Sequence, residues 1–195
     1  MELPAVGRMV KWLMRSGEVM FPTSRAAYTW ASRTLEIGSV LDVGCCFGAG
    51  TMVLAERGFK TIGVDTELLA VMMARGLYPW ADWETWDVSE HPFRVQFDHV
   101  LAMESLEHMD NQLTAMRNML ATAKQTLVIT TPNAAVSAGT NPEHTHELTL
   151  SEIRDMVTEC GDAEIEEVLE NGSFEPVGDL LTCGDFYVVI RKVKA

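Results

Sequence analysis

The segment MESLEHM, residues 103 to 109, sets Glu104, Glu107 and His108 at i, i+3 and i+4. On a helix those three share a face, so two carboxylates and an imidazole converge. That set suits a divalent cation of the magnesium or manganese kind, with positions left open for substrate oxygens. Further on, TPNAAVSAGTNPEHTHELT places His144 and His146 on a loop, where either supplies a fourth ligand. Without a metal, His108 has an ordinary pKa near ~6.5 and suits the task of general base. A second group of acids, Asp42, Asp65 and Asp87, stands at the ends of short strand-like runs. Around the first of them, VLDVGCCFGAG at residues 40 to 50 puts glycines where a strand turns into a helix. Such a turn lets backbone N–H groups and a helix N-terminus approach a small ligand.

These side chains need a scaffold, and the chain supplies a regular one from residue 39 onward. SVLDV, KTIGVD, WETWD, FDHVLAM and TLVITT read as strands separated by helical segments ending near Gly58, Gly76 and residue 123. That alternation predicts a parallel sheet. Thr149 followed by Glu152 fits a capping box, Ile153, Met156 and Val157 form an inward stripe, and Gly161 ends the helix. AEIEEVLE and DFYVVIRKVK then follow without an intervening helix and predict a closing antiparallel pair, one strand of which joins the parallel sheet. Before residue 37 the pattern is helical. Val6, Met9, Val10, Leu13 and Met14 recur at helical spacing up to Gly17, and a second helix runs from Pro22 and Thr23 to about Glu36. These two helices either cap the site or cover the sheet. Trp80, Trp83 and Trp86, spaced by three, cannot share one strand face and are read as packing residues.

Composition limits the choices. With 195 residues and 47% apolar content, one domain with a real core is expected. No apolar run approaches the ~20 residues of a membrane span, and the N-terminus lacks a secretory pattern, so a cytoplasmic protein is expected. The four cysteines form no CxxC pair, and a bridge between adjacent Cys45 and Cys46 would be strained, which predicts reduced thiols. A net charge of -13 opposes non-specific nucleic-acid binding, which relies on Lys and Arg. Arg8, Lys11, Arg15, Arg25 and Arg33 make the first forty residues net positive, either as solvated helix faces or as an approach for an anionic acceptor. A nicotinamide dinucleotide site would need GxGxxG after the first strand, and Cys46 stands at its second glycine.

The order of elements, the VLDVGC opening and the acids at successive strand ends resemble the class I S-adenosylmethionine-dependent methyltransferases over roughly residues 36 to 192. The resemblance implies an α/β fold: a Rossmann-like, doubly wound, seven-stranded and mostly parallel sheet, with one antiparallel strand near the C-terminus and an N-terminal helical cap. Residues 1–195 then form a single domain, with 1–36 the helical extension and 37–195 the core. It also implies that the loop around Gly44, Cys45 and Gly48 passes the methionine portion of S-adenosylmethionine and that Asp42 helps to fix its amino group. Asp65, 23 residues beyond Asp42, accepts from both ribose hydroxyls, with Thr66 and Leu68 beside it. TWDVSEHPF resembles the third motif, so Asp87 accepts from the adenine amino group, Val88 offers a backbone N–H, and Trp86 and Leu68 flank the ring. Glu104 lines the same pocket. Cys46 departs from the family, which usually has glycine there, and a side chain at that point narrows or reshapes the cradle.

The E-x-x-E-H pattern resembles two methyltransferase groups: ubiquinone-pathway O-methyltransferases, and enzymes that 2′-O-methylate the 3′-terminal ribose of small RNAs. His144 stands three residues before Glu147 and five before Thr149, as the metal histidine of the RNA group does, which favours it over His146. The implied ligands of magnesium or manganese are Glu104, Glu107, His108 and His144, and the implied proton-handling residues are Glu104 and His108. The expected activity is methyl transfer to oxygen of a small hydroxylated acceptor. The alternatives are an RNA 3′-end, which the acidity disfavours, and a cofactor-binding partner subunit that has lost catalysis.

Overall fold

The computed structural model describes residues 22–137, 141–178 and 183–193, so the helix expected between Val6 and Gly17 lies outside the described part. Helix α1 (Pro22–Thr34) leads into β1 (Ser39–Val43), α2 (Ala49–Glu56), β2 (Lys60–Asp65), α3 (Leu68–Leu77) and β3 (Asp82–Thr85). After β4 (Phe97–Met103) come a 3₁₀ turn (Leu106–His108), α4 (Gln112–Thr122), β5 (Ala123–Pro132) and the short α5 (Ala134–Ser137). Helix α6 (Leu150–Cys160), β6 (Ala163–Glu170) and β7 (Asp185–Lys192) complete the described order.

The strands form one seven-stranded sheet in the order β3-β2-β1-β4-β5-β7-β6. Strands β1 to β5 are parallel, while β7 inserts between β5 and β6 and runs antiparallel to both. This is the Rossmann-like sheet with one reversed strand that the family resemblance implies. Its central strands are near-continuous apolar runs because both faces are covered. On one face Leu41, Val43, Val100, Ala102, Leu127, Ile129 and Val188 meet Met116, Met119 and Leu120 of α4 and Ile153 and Val157 of α6. On the other, Val40, Leu101, Met103, Val128 and Val189 meet Ala27, Tyr28 and Ala31 of α1 and Leu54 of α2. Each fully buried Val, Leu, Ile or Met side chain among these contributes about 1.5–3 kcal/mol.

Helix α1 therefore lies along a sheet face. The Glu36 carbonyl accepts from His99 near the start of β4, whereas Tyr28 reaches Asp42 near the end of β1, so α1 descends from the carboxyl rim of the sheet. Covering the sheet is its role among the described residues.

The capping box of α6 is present: the Glu152 N–H donates to the Thr149 hydroxyl, and the Thr149 N–H to the Glu152 carboxylate at 2.8 Å. Gly161 closes the helix in the left-handed conformation at φ 79. Thr149→Ala removes one half of the box, and an expected loss of about 1 kcal/mol lowers the melting temperature by roughly 2–4 °C in a thermal unfolding experiment.

Candidate active site

The parallel register brings Val43 level with Val64, and Asp65 with Thr85, so β1, β2 and β3 end on one rim. The loop after β1 is tied to β2, with the Gly44 and Cys45 N–H groups donating to the Val64 carbonyl at 2.9 and 3.0 Å. Asp65 closes the arrangement: Oδ2 accepts from the Cys46 N–H and Oδ1 from the Glu67 N–H, both at 2.9 Å. Burial pushes the Asp65 carboxyl up, and those backbone donors oppose it. Thr66 and Leu68 beside it are exposed. A carboxylate has about four acceptor positions, so Asp65 retains capacity for further donors.

Two expectations about this loop change. Asp42 is fully buried, and its two oxygens accept from the Tyr28 hydroxyl at 2.7 Å and the Thr51 hydroxyl at 2.5 Å. It holds the loop from behind and is not presented to a ligand amino group. Burial raises its carboxyl to about 7 against the lowering effect of the two hydroxyls. Glycine 48, at φ 84, serves the interior as well as the rim: a Cβ there would lie 2.3 Å from the Trp83 ring. Trp83 is accordingly a packing residue, whereas Trp80 is 72% exposed and does not pack as expected.

Cys46 sits at φ 49, the left-handed region in which glycine is the usual residue. Its thiol is driven up to about 12 by burial and by Asp65, and all four cysteines are free. Cys46→Gly is expected to fold and to change stability by no more than about 1 kcal/mol, since relief of left-handed strain offsets the greater freedom of the unfolded chain. Chemical denaturation of the two proteins checks this.

Beyond β3, the Asp87 carboxylate accepts from the Ser89 N–H at 2.7 Å, and Asn118 donates to the Val88 carbonyl at 2.7 Å, which fixes the turn. Trp86 is half-buried, with its indole N–H on the His91 carbonyl.

Beyond β4 the helical spacing expected for Glu104, Glu107 and His108 is not present. Glu104 occupies a left-handed turn at φ 50, with its N–H on the Thr130 hydroxyl at 2.9 Å, and the 3₁₀ turn begins only at Leu106. Glu104 thus falls outside the ligand group. One donor atom each from Glu107, His108 and His144 lies within 4.8 Å of the others. Glu107 is 0% exposed and both its oxygens lack a hydrogen-bond partner. Burial first, and the Glu104 charge second, raise its carboxyl, against the smaller lowering effect of its own backbone N–H and the Thr131 hydroxyl. Glu104 is raised by burial as well, and Oε1 of that side chain is also buried without a partner.

The two imidazoles have defined tautomers. His108 Nδ1 lies 3.1 Å from the Glu143 carbonyl, which only accepts, so Nδ1 carries the proton and Nε2 the lone pair. Partial burial lowers its pKa. His144 Nδ1 lies 2.7 Å from the buried Glu147 carboxylate, and the Asn141 amide meets Nε2 at 2.8 Å. A carboxylate on the far nitrogen is how metal-ligating histidines are commonly oriented. His146 points elsewhere and pairs with Glu152.

Sequence spacing missed the residues that assemble this cluster. The Thr145 N–H donates to the Glu107 carbonyl at 2.9 Å, and the Gln112 amide bridges the Leu106 and His146 carbonyls at 3.0 and 2.6 Å. Gln112 opens a helix and carries no motif. Asp185, at the start of β7, is half-buried and close enough to raise both Glu104 and Glu107. Only the reversed strand brings it there.

The fold is a Rossmann-like sheet whose strands β1, β2 and β3 end on one rim beside Asp65. Residues 41–126 match the family model described as a methyltransferase domain. A probable S-adenosylmethionine-dependent methyltransferase of Mycolicibacterium smegmatis is 27% identical over 184 residues, which cover 90% of this chain and 67% of that protein. Among solved structures, an S-adenosylmethionine-dependent methyltransferase from Clostridium acetobutylicum superposes with a TM-score of 0.78 at 10% identity, covering 98% of this chain and 100% of that one. The magnesium protoporphyrin IX methyltransferase of Synechocystis, with bound SAH, gives 0.67 at 14% identity over 98% and 89% of the two chains. In sequence and in fold the chain is thus similar to class I S-adenosylmethionine-dependent methyltransferases.

Proposed function

We propose that this enzyme methylates a hydroxyl oxygen of a small acceptor, with a divalent cation held by Glu107, His108 and His144. The observation that carries the reading is Glu107: a fully buried carboxylate with two unpartnered oxygens, beside the His108 Nε2 lone pair and a His144 ring that Glu147 orients, whose Nε2 the cation would take over from the Asn141 amide. An unpaired buried charge is costly, and a cation is the partner this donor set fits. Oxygen and imidazole donors together suit magnesium or manganese. When bound, the ion would lower the pKa of an acceptor hydroxyl.

The chain's own residues supply the rest. Asp65 accepts the ribose hydroxyls of S-adenosylmethionine with its remaining lone pairs, the loop at Gly44, Cys45 and Gly48 passes the methionine portion, and Asp87 and Val88 meet the adenine. Thr66 and Leu68 border the ribose and the ring. In the transfer, the acceptor oxygen bonds to the methyl carbon as the carbon–sulfur bond breaks, leaving a neutral thioether. Glu104, raised by burial, takes the hydroxyl proton, since the single lone pair of His108, on Nε2, serves the cation and is free to act as a base only in a metal-free site. Alignment of the two reactants provides much of the rate, because the sulfonium already activates the methyl group. Residues 37–195 act as one catalytic unit in this reading, preceded by the extension 1–36.

The test is SAH release from chelator-treated protein across catechols, polyprenyl phenols and short RNAs, with and without magnesium or manganese. Turnover of a phenol that the cation stimulates is the expected result. Turnover indifferent to chelation would remove the metal, RNA-only turnover would move the acceptor class, and SAH binding without turnover would favour a silent partner subunit.

A further inference from the structure

The Asp42 carboxylate joins three elements that bracket the glycine loop. Asp42 lies on β1, its Oδ1 receives the hydroxyl of Tyr28 from α1, and its Oδ2 receives the hydroxyl of Thr51 from the first turn of α2. Tyr28 is 4% exposed, and Asp42 and Thr51 are 0% exposed, so water competes for none of these bonds. The Tyr28 ring also fills the space beside Gly50, where a Cβ would stand 2.2 Å from the ring carbon Cε2. Residues 44 to 48, the cofactor loop, are thus held at both ends by one carboxylate, and the outermost donor of that carboxylate belongs to a helix behind the loop.

We propose that Tyr28 is a positioning residue for the cofactor: its hydroxyl holds the Asp42 carboxylate, and through it the start of α2, in the arrangement that binds the adenosyl ligand. A loop fixed before binding spares the ligand the cost of ordering it. Above about pH 7, where Asp42 is ionised, hydrogen bonds to this buried carboxylate are among the stronger ones, and losing one donor leaves it short of a partner in a site that burial already disfavours. Asp65, Cys45 and Cys46 are the other titratable groups that face this network, and none of them supplies a replacement donor to Asp42.

Tyr28→Phe keeps the ring and deletes only the hydroxyl. Calorimetric titration with SAH, performed well below the melting temperature, is expected to show about tenfold weaker binding than wild type. In an Asp42→Asn background the same substitution is expected to cost less than twofold, because the charge it served is gone. Val189→Ala, a truncation in the same apolar cluster on β7, is expected to lower the melting temperature and leave SAH affinity unchanged. Wild-type SAH affinity in Tyr28→Phe, or an equal tenfold loss in the Asp42→Asn background, would overturn the proposal. Should Tyr28→Phe fail to fold, Thr51→Ser and Thr51→Val test the same carboxylate from its other side. Affinity kept by serine and lost by valine supports the tie, and equal affinity in both refutes it.

Discussion

Asp65→Ala is expected to bind SAH at least about a hundredfold more weakly than wild type in a calorimetric titration, while still unfolding cooperatively. The side chain makes two hydrogen bonds to backbone N–H groups of separate loops, Cys46 after β1 and Glu67 after β2. Removing it leaves both donors without their charged acceptor, loosens the loops from one another, and deletes the group proposed to receive the ribose hydroxyls. Hydrogen bonds to charged groups contribute about 1.5–3 kcal/mol each, so even two of them account for the expected loss. Asp65→Asn retains one acceptor oxygen and is expected to fall between the two, about tenfold weaker than wild type. SAH affinity within threefold of wild type in the alanine variant would show that the cofactor does not use this rim.

Manganese at about a hundred times its dissociation constant is expected to raise the melting temperature by roughly 5–10 °C at pH 7.5, and Glu107→Gln or His144→Ala is expected to abolish the rise. The pH dependence follows from the direction in which Glu107 and Glu104 are shifted. Burial raises both carboxyls above their ordinary values. Above about pH 4.3, the usual Glu value, the unfolded chain releases protons that the folded protein still holds, so apo stability falls as pH rises through that window. A cation takes the place of the proton, and its stabilising effect therefore grows with pH and is smaller at pH 5.5 than at pH 7.5. Glu107→Gln should also make the apo protein more stable than wild type at pH 8, because the amide has no charge to bury. An undiminished manganese response in that variant would remove Glu107 from the site. Gln112→Leu offers a milder version, since it cuts the bridge between the Leu106 and His146 carbonyls and leaves all three candidate ligands in place.

Much of the scaffold was legible because its signals are local. The β2 strand KTIGVD, the β4 strand FDHVLAM and the β6 strand AEIEEVLE begin and end where their apolar patterns and flanking turn residues place them. The α6 capping box needs only two side chains three residues apart. The antiparallel strand near the C-terminus was legible for a related reason: no helical pattern separates AEIEEVLE from DFYVVIRKVK in the sequence, and β7 pairs antiparallel with both neighbours.

The candidate site was legible in part. His144 was singled out over His146 by its spacing to Glu147, and that spacing corresponds to a contact: Glu147 orients the His144 ring. Glu104 does not group with Glu107, His108 and His144, because helical spacing was assumed across a residue that adopts φ 50 and breaks the helix before it starts. Trp80 and Trp83 look alike in sequence, yet one is exposed and the other packs under the glycine loop.

The sequence by itself determined the succession of strands and helices, the glycine turn after β1 and the acids that close successive strands. Periodicity and turn chemistry act over a few residues, and neighbours along the chain suffice to express them. Tertiary structure alone decided which acids remain open to a ligand. Asp42 is taken by a hydroxyl fourteen residues away on another element, Asp65 keeps lone pairs to spare, and Glu107 meets His144 only because a distant loop folds back onto the 3₁₀ turn. Availability of a carboxylate depends on burial and on the partners that reach it, and both are fixed by packing between elements far apart in the chain.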